Sequence, residues 1–518
     1  MTANRRIFWN VVATYGRSLY ALVIGLFTAR WVLMTLGEVD YGLIGVVGGL
    51  VGFMSFFNGL MAASVARFYA FSVGQMQAAE DANRALDECR RWFNTAVAIH
   101  TVVPIVSLLI GYPIGEWAVR NYLTIPPERV DACVWVFRIS CFSCLVSMMS
   151  VPYQAMYTAK QEIAELTIYD FMRTTFNFVF LCYMVTHPAD WFVRYVGWTV
   201  FLSVAPTLVI LVRSFYKYQE CRFVFCYLLD MRRVRELIEY AGYRFLSSIA
   251  ALSAYQGMIV LVNKMLGPSR NAAMTLSNNI QSHALSLMGA LRVAMTPAIA
   301  NATGAGDFKR VENLACRTSV YTSLSVAIFA IPLSIEIDEV LTLWLKQPPE
   351  GMATLTVLAL VAAFFEEMTI GQCLSIVALK NIGKFQFFEA LTFFMPFPIA
   401  WFIFNAGGGI AGAGIGFLAL YLTDDIVKLY FVRKQCGHSL RRWAREVFFP
   451  VVFSAATATG VAFVPFVILP QSLFRVLTTA LVSGAVLCFE IWFFVLQESE
   501  RTKVIGQITR ITGLMVRI

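Results

Sequence analysis

The residues able to do chemistry in this chain are a few charged and amide side chains set deep in long apolar runs. Arg17 and Arg30 lie in the first such run and Arg292 in a later one. Placing an arginine in lipid costs about 2.5–3.5 kcal/mol on insertion scales, so such residues face a protein interior or a water-filled cavity. Arg17, with Tyr15 and Tyr20 close by, and Arg292 are therefore expected to line a cavity. Guanidinium groups grip phosphate with two parallel hydrogen bonds, so that cavity would attract a phosphate-bearing solute. Arg30 sits nearer the outer end of its run, where snorkelling to the headgroups competes with the cavity role. The same alternatives stand for Arg138 and Arg244. Arg173 follows Asp170 by three residues, the spacing of an intrahelical pair.

Two further groups stand out. Gln256, Asn263, Asn271, Ser277, Asn278, Asn279 and Gln281 form a polar series denser than helix packing needs. Their amides could hydrogen-bond sugar hydroxyls. Glu366 and Glu367 are adjacent near the middle of an apolar run, so on a helix they point about 100° apart. They suggest a site for H+ or Na+ coupling, against the alternative of a buried ion pair with a cavity arginine. Asp424, Asp425 and Lys428 have the spacing of local pairs, and Glu490, near a helix end, is expected to snorkel. The four histidines (His100, His187, His283 and His438) are scattered, and Cys141 and Cys144 sit on one apolar helical turn as small hydrophobes. No metal site and no cofactor is expected, apart from a coupling cation.

These groups need elements to position them. A chain of 518 residues that is 58% hydrophobic and 14% charged reads as a polytopic helical membrane protein. Its net charge of +9 is expected to sit in cytoplasmic loops beside anionic headgroups, not on nucleic acid. The first apolar run has no cleavage site and is expected to remain as a membrane helix. The pattern gives about fourteen spans, near 11–34, 41–64, 92–113, 132–157, 167–187, 191–212, 239–263, 271–299, 313–333, 353–379, 387–405, 410–432, 448–469 and 474–496. Lys and Arg concentrate in alternate connections, which puts both termini in the cytoplasm.

A basic connection at 214–238 separates an N-terminal lobe of six helices (1–213) from a C-terminal lobe of six (239–433). Residues 434–518 add a basic loop, two helices and an amphipathic tail whose apolar stripe runs from Val504 to Ile518. The lobes echo each other: Leu36-Gly37 and Leu266-Gly267 close the first helix of each, and Gly74 and Gly304 each follow 37 residues later. LGEVDYG (Leu36 to Gly42) is expected as a turn between two helices, and Pro152 and Pro297 as kinks or ends. The expected fold class is all-α and integral to the membrane, two pseudo-repeated six-helix lobes plus two C-terminal helices.

The segment TARWVLMTLGEVDYGLIGVVGGLVGFMSFFNGLMAASVARFYAFSVG resembles the first hairpin of bacterial polysaccharide-biosynthesis flippases, the O-antigen (Wzx-type) exporters. VPYQAMYTAKQ, LVNKMLGPSRNAAMTLSNNIQ, AMTPAIANATGAGD and LTLWLKQPPE continue the resemblance, which covers roughly residues 5 to 435. It implies membership of the multidrug/oligosaccharidyl-lipid/polysaccharide exporter superfamily, with two six-helix lobes in a V (MATE-like). It also implies movement of a polyprenyl-pyrophosphate-linked oligosaccharide from the inner to the outer leaflet of a bacterial cytoplasmic (inner) membrane. The implied partners are that lipid-linked oligosaccharide, the bilayer and polysaccharide polymerase or glycosyltransferase machinery, with the transporter itself a monomer. Arg17, Arg30, Arg67, Asn263, Gly267, Asn271 and Pro297 fall where the family pattern has the same residue type. The acidic pair Glu366-Glu367 departs from it, one acid at most being expected there. Rival readings are a peptidoglycan-precursor flippase or a cation-coupled multidrug exporter of the same fold. A membrane glycosyltransferase or polymerase is disfavoured, because the large loops are short and face the cytoplasm.

Overall fold

The computed structural model describes residues 27–52, 82–160, 162–228, 230–379 and 382–495, with the single positions Tyr20, Ile24, Gly25, Val65, Tyr69 and Arg501. Arg17, Arg67, Gly74, the side chain of Arg244 and the stripe at 504–518 lie outside the described residues. Those described form helices and no strand. In chain order they are α1 (Phe27–Gly52), α2 (Ala82–Trp117), α3 (Val130–Met149), α4 (Val151–Ala159), α5 (Ile163–Thr186), α6 (Phe192–Lys217), α7 (Met231–Leu266), α8 (Pro268–Gly304) and α9 (Phe308–Ile335). There follow α10 (Ile337–Leu345), α11 (Met352–Glu367), α12 (Ile370–Val377), α13 (Gly383–Thr392), α14 (Pro396–Asn405), α15 (Ala411–Cys436), α16 (Leu440–Trp443), α17 (Phe449–Ile468) and α18 (Leu473–Glu490).

Among the described residues nine helices are long and apolar enough to cross a membrane, and the bent pair α11–α12 makes a tenth. The expected spans at 167–187, 271–299 and 410–432 are helical as well, with polar residues that dilute their hydropathy. Pro152 falls in the first turn of α4, directly after the break at Ser150, where its missing N–H costs nothing. α8, by contrast, runs through position 297 to Gly304.

The chain divides into two compact units. The first comprises Met1–Ser277, Gln347–Met352 and Gln386–Gly416; the second comprises Asn278–Lys346, Ala353–Phe385 and Phe417–Ile518. In the first unit the LGEVDYG stretch, expected as an open turn, is helical throughout, and left-handed backbone is confined to Gly37 at φ +79°. Its echo Gly267 has φ +87°, caps α7 through a hydrogen bond to the Asn263 carbonyl, and hands over to Pro268 at the start of α8. Glycine alone adopts this conformation without penalty, so one residue does the work of a loop.

The two echoing segments pack on each other. A side chain at Gly42 would collide with the Pro268 carbonyl, and one at Gly45 with Thr275. Gln256 packs against Gly49 and Gly52 further along α1. Glycines at 42, 45, 49 and 52 thus form a helical stripe that lets α7 and the start of α8 approach closely. The basic connection is no free linker: it makes two 3₁₀ turns, and Asn94 on α2 both donates to the Arg222 carbonyl (3.1 Å) and accepts from the Val224 N–H (2.8 Å).

In the second unit α9 is the central strut, packed on α12, α17 and α18. Glu336 is buried at the end of α9. It accepts from Arg475 Nε and Nη2 (3.0 and 2.7 Å) and from Thr479 (2.9 Å), all on α18. Arg475 also lies 4.8 Å from the Phe466 ring centroid on α17. Glu490 does not snorkel as expected. It is buried and accepts from Thr457 on α17 at 2.6 Å, because a neighbouring hydroxyl offers a nearer partner than the headgroups do.

Candidate functional site

Polar residues inside membrane helices either hold helices together or do chemistry, and hydrogen-bond accounting separates the two. In the first unit the amide N–H groups of Asn263 and Asn271 find acceptors, while Asn177 Oδ1 and Asn271 Oδ1 are buried without a donor. Asn263, fully buried on α7, accepts from the Thr124 N–H at 3.0 Å and donates to the Thr124 carbonyl at 3.4 Å, so both ends of its amide hold one peptide. Asn271, fully buried on α8, donates to the Gly42 carbonyl at 3.2 Å. Ser277 donates to the Met352 carbonyl at 3.4 Å. Gln256 is half-buried, and so is Arg30 on α1.

The second unit holds a different arrangement, built on a broken helix. α11 and α12 meet at an angle of 50° across Met368 and Thr369. The sequence pattern reads 353–379 as one continuous span, and neither proline nor glycine stands at the break itself. The break leaves carbonyls without intrahelical partners, and neighbours supply them: Thr322 donates to the Glu367 carbonyl (3.3 Å) and the Trp443 indole N–H to the Met368 carbonyl (3.0 Å). Just past it, a side chain on Gly371 would collide with the Ala315 carbonyl, so α12 lies directly on α9. The Gly371 N–H donates to Ser319 at 3.1 Å, and Ser319 in turn donates to Gln372 at 2.8 Å.

Glu366 and Glu367 close the first half-helix, and they diverge as consecutive helical positions must. Glu367, fully buried, forms an ion pair with Arg292 of α8. Glu366 is turned toward α15, where the Tyr421 hydroxyl hydrogen-bonds it and the charges of Lys428, Asp424 and Arg292 are felt. On α15 Lys428 pairs with Asp424 at 2.7 Å and lies 3.8 Å from Asp425, as the sequence spacing anticipates. Thr369, at the break, donates to Asp425. The α8, α11 and α15 side chains therefore form one network, with its carboxylates inside and Arg292 half-buried.

The network has two bases, Arg292 and Lys428, for four carboxylates, Glu366, Glu367, Asp424 and Asp425. Fully ionised it would carry an excess of two negative charges where water is scarce, at high cost. Glu366 Oε2, Glu367 Oε2 and Asp424 Oδ1 are buried with no hydrogen-bond donor. Of the alternatives weighed for Glu366-Glu367, the ion pair with an arginine is present at Glu367, while Glu366 is not paired to Arg292. Arg138 pairs with Glu116 at 2.7 Å and Arg173 with Asp170 at 3.4 Å, leaving both in local structural roles.

Known proteins show the same architecture. The MatE family model matches residues 245–402. No curated protein matches the chain. Among solved structures the chain is similar to lipid II flippase MurJ in an inward closed conformation, with TM-score 0.66 at 11% identity over 93% of this chain and 98% of that one. It is also similar to an inward-facing multidrug resistance MATE family transporter of the MOP superfamily (TM-score 0.60, 13% identity, 81% and 94% covered). The MATE multidrug transporter DinF-BH in complex with R6G gives TM-score 0.58 at 12% identity, with 84% and 96% covered. At such identities the likeness shows the fold: an all-helical membrane architecture of the MATE and MurJ type.

Proposed function

We propose that the protein is a flippase that carries a polyprenyl-pyrophosphate-linked oligosaccharide from the cytoplasmic to the outer leaflet of the inner membrane by alternating access. The observation that carries this reading is the pairing of Arg292 with Glu367 at a broken helix. Broken membrane helices are where transporters of this kind place solute and ion sites. At that break Arg292 is paired with a titratable, fully buried carboxylate. Protonation of Glu367 releases the guanidinium, which then offsets the cost of taking a pyrophosphate out of water. Deprotonation reclaims it. Glu366 and the Asp424–Lys428–Asp425 group hold the remaining charge, and protons are the ions that give their donor-less oxygens a partner.

Arg17 and Arg30 enter as further phosphate ligands on the sequence resemblance, and Gln256, half-buried, as an amide for sugar hydroxyls. A lipid carrier in place of a drug fits the cationic Arg292 and the resemblance of residues 5 to 435 to polysaccharide flippases. The near full-length similarity to MurJ, named a lipid II flippase, favours a second reading in which the cargo is a peptidoglycan precursor. Either cargo presents the same pyrophosphate to Arg292. Reconstituted protein offered fluorescent lipid-linked oligosaccharide, lipid II and a cationic dye separates these readings. Outward flipping of the oligosaccharide supports the first, and transport of the dye alone would overturn both.

A further inference from the structure

The second unit carries another group of guanidinium side chains that the proposed transport step does not use. The first three turns of α9 place Arg310, Asn313, Leu314 and Arg317 on one face, at three- and four-residue spacing. Arg442, on α16, and Glu446, in the π-helical turn after it, complete the walls of a cavity of about 520 Å³. Arg442 is fixed in place: it donates to Glu312 (3.1 Å), to Glu446 (2.8 Å) and to the side-chain amide oxygen Oδ1 of Asn313. Glu312 is occupied from a second side by the Ser439 N–H at 2.7 Å. The wall thus sets three arginines against two carboxylates that already have donors, and the exposed Lys309, Arg441 and Arg445 flank it. Such a site selects an anion.

Its depth narrows the choice. Arg310 is the third residue of α9, and Arg442 precedes α17 by a single π-helical turn, so the cavity lies at the ends of two apolar helices. Phe308 and Phe449, the first residues of those helices, are both exposed, as aromatic residues are at the level of lipid headgroups. Basic pockets at the ends of membrane helices hold phosphate-bearing lipid headgroups. The geometry points to a binding site for the phosphodiester headgroup of an anionic membrane phospholipid, with Arg310 and Arg317 as donors beside the preset Arg442. The site also bears on the charged network. Trp443, the neighbour of Arg442, donates to the Met368 carbonyl in the α11–α12 break, so a headgroup on Arg442 sits one residue from a strut of that break. The assignment does not depend on which solute the protein moves.

Native mass spectrometry of the full chain in neutral detergent tests it with phosphatidylglycerol, phosphatidylcholine and inorganic phosphate at matched concentrations. Phosphatidylglycerol is expected to bind and phosphatidylcholine to bind at least about tenfold more weakly, with inorganic phosphate failing to displace the lipid. Each lost guanidinium–phosphate contact weakens binding roughly tenfold, so the Arg310→Gln/Arg317→Gln variant, which loses two, should hold phosphatidylglycerol about a hundredfold more weakly. The Arg310→Lys/Arg317→Lys variant, which keeps the charge but not the planar fork, should lie between the two and shows that the fold survives. Equal retention of phosphatidylglycerol by wild type and the Gln variant would overturn the assignment. So would equal binding of the two lipids, and displacement by inorganic phosphate at equal concentration would assign the cavity to a soluble anion instead.

Discussion

The first unit's glycine seam and the second unit's charged network are both polar features inside apolar helices, and they obey opposite rules. Along the seam the groups are neutral. Asn263 spends both ends of its amide on Thr124, Asn271 donates to Gly42, and glycines at 42, 45, 49 and 52 bring the helices close. In the network the groups are ionisable, the helix carrying them is broken, and three carboxylate oxygens have no donor. A satisfied polar group in a membrane contributes to packing. An excess of charge that the surrounding protein leaves uncompensated is costly to keep, and that cost is what singles the network out for the switch proposed above.

The sharpest way to break this contrast is to remove its central cation. Arg292→Gln deletes the ligand proposed for phosphate, so flipping should fall at least about tenfold, the equivalent of one charge-assisted contact. Next in size is the buried pair that resembles the network chemically yet is fully satisfied. Removing one partner alone, by Glu336→Ala or Arg475→Ala, leaves a buried charge and should cost about 3–5 kcal/mol of stability, read as a lowered unfolding temperature. The seam predicts smaller losses confined to stability. Gly42→Leu forces a side chain into the Pro268 carbonyl and should cost about 1–3 kcal/mol. Asn271→Ala should cost roughly 0.6–1.7 kcal/mol. Flipping by the folded fraction of Asn271→Ala should be unchanged, and a specific loss of substrate binding there would move that amide from the seam to the cargo site.

The smallest effect concerns a charge at the edge of the first unit. Asp190, in the connection after α5, accepts from Arg129 at 2.6 Å, and this hydrogen bond holds its carboxyl below the usual range. A depressed carboxyl contributes stability above its unfolded pKa and loses it as pH falls through the lower folded value. Acidification below about pH 4 should therefore cost wild type slightly more than Asp190→Asn, by less than about 1 kcal/mol given the exposure of the pair. Thermal denaturation at a series of pH values checks the sign.

Much of this was legible in the chain because it is local. Long apolar runs fix an all-helical membrane fold, and the spacing of Asp170–Arg173 and of Asp424, Asp425 and Lys428 fixes those pairs. The LG echo marks two left-handed glycines, at 37 and 267. What escaped depends on tertiary neighbours. The break at Met368–Thr369 has no proline to announce it; it persists because Thr322 and Trp443 take up its carbonyls and Gly371 lets α12 close on α9. Glu336 and Arg475 are 139 residues apart, so no helical periodicity could join them. The seam does carry a sequence signal, the three- and four-residue spacing of its glycines along α1. The sequence reads Arg292 as a cavity residue and Glu366-Glu367 as a coupling site, with an ion pair to a cavity arginine as the rival reading of the two acids. The structure joins Arg292 to Glu367, which makes the pair itself the candidate switch.

Leaflet-resolved flipping of a fluorescent lipid-linked oligosaccharide in proteoliposomes, measured across a pH series for wild type and Glu367→Gln, tests the central claim most directly. The account predicts pH-dependent flipping in wild type and a flattened profile in Glu367→Gln, where Arg292 has no ionisable rival for the phosphate. An identical pH profile in the two proteins would contradict it.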